Sequence, residues 1–249
     1  MDATAGPEPT KRKRAGASSK PIQAGAEKTE ENEVRTTPVI VGLGASAGGL
    51  EAFQAFFTAV PANSGLAFVV VAHLDPNRDS ILADLLQKST SMPVHQVVDG
   101  EKTEPDHVYV TAPGHEVAIL NGVLHLMDLP TPATRLPIDA FFRSLAQDQG
   151  ANAVGVILSG TGTDGTLGIR ALKEKSGLIV VQDEDSAKYD GMPRSAVATG
   201  VADYILPPAE MPAQVLKYIA AAGRGTTAPA AVPTRPFLSA LQKIVVFLR

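Results

Sequence analysis

The chain has 249 residues, 44% of them hydrophobic and 19% charged, which is enough to bury a full-sized core. Its formal net charge of -4 and pI near 5.7 argue against nucleic acid as the main partner, because phosphate binding needs a net or clustered positive surface. Zero cysteines exclude disulfides, thiolate catalysis and cysteine-ligated zinc. There is no signal peptide and no run of about 18 apolar residues, so the expectation is a soluble cytosolic protein with no membrane insertion.

Met1 to Thr37 is a Pro, Ala, Gly, Ser, Lys and Glu segment with almost nothing apolar to bury, and reads as a disordered tail. Its basic cluster, Lys11 to Arg14, reads as part of a solvated leader rather than a nucleic-acid arm. Pro38 to Val41 then starts a strand that runs into GLGASAGG. Leu50, Phe53, Phe56 and Phe57 recur at helical spacing behind it, so strand, tight turn and helix follow in order. Gly42, Gly44 and Gly48 also give G-x-G-x-x-x-G, one residue off the dinucleotide-binding spacing, which keeps open a nucleotide-binding or purely regulatory module. Leu66 to Ala72 is an uninterrupted apolar run of the kind buried on both faces of a parallel sheet, and it ends at His73. Asp79 or Ser80 can cap a helix whose inner stripe is Ile81, Leu82, Leu85 and Leu86.

Met92 to Val98 reads as a short strand, and His107 to Gly114 as another strand and turn. Val117 to Leu126 reads as a hairpin around Asn121-Gly122, a type I′ pair. After the proline-rich loop from Asp128, Pro137 opens a helix carrying Ile138, Phe141, Phe142 and Leu145. Ala153 to Gly160 is the next buried strand. It leads into TGTDGTLG, a helix with Leu167, Ile169 and Leu172, and the strand Leu178 to Gln182. A loop and short helix at DGMPRSAVATG, a strand at ADYIL and a helix closed by Gly223 complete the pattern. Strands alternating with helices predict a doubly wound, mainly parallel α/β sheet with helices on both faces and one antiparallel hairpin. Beyond Gly223 a linker precedes an amphipathic segment that stops in mid-pattern at Arg249, as the start of a truncated helical segment would.

Three polar residues stand at three strand ends: Ser46 after VIVGLG, His73 after LAFVVVA, and Asp164 after AVGVILS. In a doubly wound sheet those ends share one rim, so residues distant in sequence meet there. A hydroxyl is a weak nucleophile until an imidazole takes its proton, and the imidazole needs an acceptor to fix its tautomer. GASAG satisfies the short G-x-S-x-G pattern, although the order Ser, His, Asp differs from the Ser, Asp, His order of that hydrolase elbow. Asp75 and Asp190 compete with Asp164 for the acidic role. Asp75 is close to His73 in sequence, and Asp190 reads as a turn cap, so Asp164 leads. His95, His107, His115 and His125 fall in no metal-ligand spacing and read as structural.

The segments VIVGLGASAGGLEAF with VVVAHLDP, VYVTAPG, PIDAFFRSLA, GVILSGTGTDG and DGMPRSAVATG resemble, in that order, the catalytic domain of chemotaxis protein-glutamate methylesterases. The likeness covers about Pro38 to Gly223, leaving 1–37 as a tail and 224–249 as linker. It resembles in particular the methylesterase halves of methylesterase-methyltransferase fusions. Those lack the usual amino-terminal receiver domain, and Met1 to Thr37 is far too short to be one. The segment after Pro236 is similar to the start of a methyltransferase helical region, which suggests a methyltransferase domain in the same full-length chain. The resemblance implies hydrolysis of γ-glutamyl methyl esters on chemoreceptor cytoplasmic helices, often with glutamine deamidation, and no cofactor. It places the nucleophile on Ser46, the general base on His73 and the acid on Asp164. The N–H of Ala47 would receive the oxyanion. Thr161 stands near the oxyanion site where the family usually has methionine.

Overall fold

A computed structural model describes residues 38–73, 81–128 and 136–223, together with Met1, Asp2 and Gly6. The short apolar runs become strands and the residues with helical spacing become the helices between them. In chain order these are β1 Ile40–Ala45, α1 Gly49–Thr58, β2 Ala67–Ala72, α2 Leu82–Gln87, β3 Val94–Gln96, β4 His107–Val110, β5 His115–Leu120 and β6 Val123–Asp128. There follow α3 Pro137–Gln149, β7 Ala153–Ile157, α4 Thr166–Glu174, β8 Leu178–Gln182, α5 Gly191–Ala198, β9 Tyr204–Leu206 and α6 Met211–Ala221. Seven strands form one sheet in the order β3-β4-β2-β1-β7-β8-β9, and every neighbouring pair is parallel. The chain leaves β1 on one side through β2 and returns on the other side at β7. Strand order therefore reverses beside β1, the place where doubly wound sheets open a crevice.

Alternation along the strands sorts the core into two layers. Val41, Leu43 and Ala45 of β1 pack with Phe53, Phe56 and Phe57 of α1 and Val215 of α6. Ile40 packs on the opposite face with Phe141, Phe142 and Leu145 of α3 and Ile169 and Leu172 of α4. Strands buried on both faces need no polar alternation, which is why they read as continuous apolar runs. The antiparallel pair β5-β6 forms its own two-stranded sheet, and Val117, Ile119 and Leu124 join the α3 layer. Asn121 (φ 54°) and Gly122 (φ 71°) both take positive φ, as a type I′ turn requires. Asp148 near the end of α3 accepts both of their N–H groups.

Two glycines of the GLGASAGG segment do something other than the sequence predicts. Gly42 and Gly44 lie inside β1, which runs on to Ala45, and the turn begins only at Ser46. A Cβ on Gly42 would stand 2.8 Å from Phe141 and 2.9 Å from Phe142, and one on Gly44 would stand 2.4 Å from Ile138 Cγ2. Their missing side chains let α3 lie close on β1. They form no phosphate-binding turn, so the nucleotide-binding reading loses two of its three glycines. Of the three, only Gly48 takes a positive φ, 70°.

Two stripe residues also differ from expectation: Ile81 is exposed, as is Leu167 in the first turn of α4, while Leu82, Leu86, Ile169 and Leu172 are buried. The proposed caps Asp79 and Ser80 lie outside the described residues, as do the 1–37 tail and the segment after Gly223. Among the described residues no helix is long and apolar enough to cross a membrane.

The close approach of α3 makes a direct prediction. Gly44→Ala should overpack the contact with Ile138 and destabilise the domain by about 1–3 kcal/mol, read as a lower urea midpoint at unchanged slope. A midpoint equal to that of the parent would show that α3 does not depend on this glycine.

Candidate active site

Ser46, His73 and Asp164 stand at the carboxyl ends of β1, β2 and β7, three adjacent strands with β1 in the middle. Parallel register brings β1 and β2 out together, with Ala45 opposite Ala72, so the next residue of each strand, Ser46 and His73, emerges side by side. Ser46 Oγ lies 3.4 Å from His73 Nδ1, and His73 Nε2 lies 2.7 Å from Asp164 Oδ2. The second contact is a short charge-assisted hydrogen bond. The first is long, as catalytic contacts without substrate often are. With Nε2–H donated to the carboxylate, Nδ1 is left as the acceptor facing the serine. This is the reverse of the ring orientation in the best-known serine proteases, where Nδ1 faces the aspartate. The histidine side chain keeps 35% of its surface in water, while Asp164 keeps 3%.

A carboxylate so far out of water needs several donors. Asp164 Oδ2 also accepts the Ile138 N–H (3.0 Å), and Oδ1 accepts those of Asp139 (3.0 Å) and Gly165 (2.8 Å). Ile138 and Asp139 are the second and third residues of α3, whose own N-cap, Leu136, has no capping side chain. Asp164 thus caps α3 from another part of the chain, at the helix end where a negative charge is favoured. The capping is reciprocal. Asp139, 1% exposed, accepts the Gly168 N–H (2.7 Å) in the first turn of α4, whose N-cap is Gly165. Burial holds the Asp139 carboxyl above the ordinary value of 3.8; the Gly168 N–H opposes this and the nearby Asp164 charge adds to it.

The turn after β7 is braced from the next crossover. Gly160 donates its N–H to Tyr189 C=O (2.9 Å) and accepts the Met192 N–H (2.9 Å), while Ser195 Oγ lies between Gly191 C=O (2.7 Å) and Gly162 C=O (3.1 Å). A Cβ on Gly160 would meet Met192 Sδ at 2.2 Å and Ser46 Cβ at 3.1 Å, so this glycine lies directly against the serine. Thr161 follows it and is exposed. Ala47 follows Ser46, and among the described residues its N–H makes no hydrogen bond; nor does that of Thr161.

The competing groups lie elsewhere. Asp190 precedes α5 and pairs with Arg194 (3.3 Å), and Asp75 falls outside the described residues. His95 pairs with Glu101 (2.9 Å), His107 and His115 turn to the carbonyls of Pro105 and Pro113, and His125 faces Asp99 (3.7 Å). Sequence reasoning missed Asp139, Ser159 and the Tyr189–Met192 brace. All of these act through contacts between segments far apart in the chain. The only local signal was an acidic residue in the first turn of α3.

Fold and site together define a doubly wound α/β protein with a serine, a histidine and an aspartate joined at the switch point of its sheet. A family model described as CheB methylesterase matches residues 41–215, and the chain belongs to that family. It is 35% identical over 205 residues to a protein-glutamate methylesterase/protein-glutamine glutaminase of Paraburkholderia xenovorans (strain LB400), covering 80% of this chain and 56% of that protein. It is 36% identical over 191 residues to the protein of the same name from Chromohalobacter salexigens, covering 74% of this chain and 53% of that one. The chain thus spans about half the length of the curated relatives it matches. The crystal structure of the Thermotoga maritima CheB methylesterase catalytic domain superposes with a TM-score of 0.68 at 28% identity. That match covers 73% of this chain and 98% of the other.

The buried Asp139 carboxyl predicts a pH dependence. Because the folded-state pKa of Asp139 is raised, the native state holds its proton more tightly than the unfolded chain does, so this group's contribution to stability falls as pH rises above 3.8. Asp139→Asn keeps an acceptor for Gly168 and removes the titration. Stability of the variant relative to the parent should therefore improve between about pH 4 and about pH 7, read from paired urea midpoints. A difference that is flat, or that moves the other way, would contradict a raised pKa for the Asp139 carboxyl.

Proposed function

We propose that this domain hydrolyses γ-glutamyl methyl esters on the cytoplasmic helices of chemoreceptors, with Ser46 as nucleophile. The observation that carries the reading is the continuous contact from Ser46 through His73 to Asp164 at three adjacent strand ends, in a member of the CheB methylesterase family. His73 Nδ1 takes the proton of Ser46 Oγ as the oxygen attacks the ester carbonyl. The charge that develops on the carbonyl oxygen is received by the N–H of Ala47 and that of Thr161. Collapse of the tetrahedral adduct breaks the ester C–O bond. His73 returns its proton to the departing methoxide, so methanol leaves and a glutamyl-serine ester remains. Water, deprotonated by the same nitrogen, attacks that ester, and the proton goes back to Ser46 as the glutamate carboxylate is released. Asp164 holds the ring and balances its charge while it carries the proton.

The same site acting on a glutamine side chain would expel ammonia in place of methanol, which fits the glutaminase half of the relatives' name. Only protons and an acyl group move, so no cofactor enters the scheme. A methyltransferase domain on the same full-length chain, as the resemblance to fusions suggests, would form the ester that this domain removes.

Mass spectrometry of a methylated receptor fragment incubated with the protein tests the reading. Loss of the methyl group is expected with the parent chain and none with Ser46→Ala. The circular dichroism of that variant should be unchanged, because a half-exposed turn serine contributes little burial. Turnover retained in folded Ser46→Ala would remove Ser46 as the nucleophile.

A further inference from the structure

Ser159, two residues past the end of β7, is 1% exposed and takes no part in the scheme above. Its carbonyl and its hydroxyl nonetheless both reach the segment that carries Ser46. Its C=O accepts the Ser46 N–H (3.0 Å), and its own N–H donates to Gln182 Oε1 (2.7 Å). Its hydroxyl accepts the Tyr189 N–H (3.0 Å) and has one proton to give, with Ala47 C=O at 2.9 Å and Tyr189 C=O at 3.3 Å as acceptors. The shorter contact is the better bond, so Ala47 C=O is the principal partner.

Peptide planarity converts that bond into an orientation. In a trans peptide C=O and N–H point in opposite directions, so drawing Ala47 C=O onto Ser159 turns Gly48 N–H away from it. Likewise Ser46 C=O, which accepts the Gly49 N–H (3.0 Å), fixes the opposite direction for Ala47 N–H. Neither Ala47 N–H nor Gly48 N–H makes a hydrogen bond among the described residues. The Ala47–Gly48 peptide would otherwise be easy to rotate, because Gly48 has φ 70° and no Cβ to restrict it. A Cβ on Gly48 would stand 2.8 Å from Ser159 Oγ, so the hydroxyl fills the space that a side chain there would need.

We propose that Ser159 is a positioning residue for acyl transfer at Ser46: its hydroxyl locks the Ala47–Gly48 peptide, and with it the turn that presents the Ala47 N–H to the developing oxyanion. The proposal rests on Ser46 being the nucleophile, as in the function proposed above.

The test uses the full chain and two assays, demethylation kinetics on the receptor fragment and the second-order rate of Ser46 labelling by a fluorophosphonate. The phosphoryl oxygen of that reagent takes the oxyanion's place, and its reaction does not depend on what the natural substrate is. Ser159→Ala should lower kcat by on the order of 10²-fold, the scale of one oxyanion donor, with little change in KM. It should slow labelling of the folded protein by a similar factor. Ser159→Thr, which keeps the hydroxyl, should behave as the parent in both assays. If Ser159→Ala does not accumulate as folded protein, Ser159→Cys replaces it, with similar volume and a weak donor, and the same losses are expected. A Ser159→Ala or Ser159→Cys protein that only melts earlier, with kcat and labelling rate per folded molecule unchanged, would overturn the proposal. So would a threonine variant as impaired as alanine. Labelling that falls as expected in a protein without demethylase activity would sustain the role of Ser159 and reject the methylesterase reading. A parent chain not labelled at Ser46 would reject both.

Discussion

The carboxylate of Asp164 is the constraint on which the site rests. It is buried, and it is tolerated there because four donors converge on it: the His73 ring, two amides at the start of α3 and the amide of Gly165. The donors come from three parts of the fold. A helix that begins without a capping side chain leaves its first amides needing an acceptor, and Asp164 satisfies two of them at once. The acceptor that orients the proposed base is therefore held in place by the fold itself. Moving it would cost α3 its cap as well as the His73 contact.

The route from sequence to that geometry passes through small residues. Gly42 and Gly44 let α3 settle onto β1, and Gly168, where a Cβ would stand 2.5 Å from Phe142 Cβ, lets α4 approach α3 closely. Only helices that close to one another can exchange caps, with Asp164 serving α3 and Asp139 serving α4. Parallel register between β1 and β2 then sets Ser46 beside His73, and the turn after β7 sets Asp164 on the other side of the ring. The three side chains thus meet at the sheet's switch point, the place where doubly wound sheets open a crevice.

Much of this was legible in the sequence. Uninterrupted apolar runs announced β1, β2, β7 and β8; Ser46 and His73 are the first polar residues after two of these ends, whereas after β7 Ser159 comes first and Asp164 follows in the turn. The hairpin was equally readable, because Asn-Gly carries its own backbone preference. What a one-dimensional reading could not separate was the two uses of glycine. A glycine needed for positive φ, such as Gly48, looks the same as Gly42 or Gly44, which are needed for helix contact. Ile81 and Leu167 had helical spacing yet face outward, because spacing gives a face and only packing tells which face is covered. Asp139 and Ser159 were invisible for a different reason: each acts on the backbone of a segment remote in the chain.

We propose that Ser46, His73 and Asp164 act as one unit. A double-mutant cycle on demethylation tests it most directly, using His73→Ala, Asp164→Asn and the two combined. If Asp164 works only by holding and balancing His73, its loss should matter greatly while the imidazole is present and not at all once it is gone. The double variant should be no slower than His73→Ala alone. Clean additivity of the two losses would contradict it.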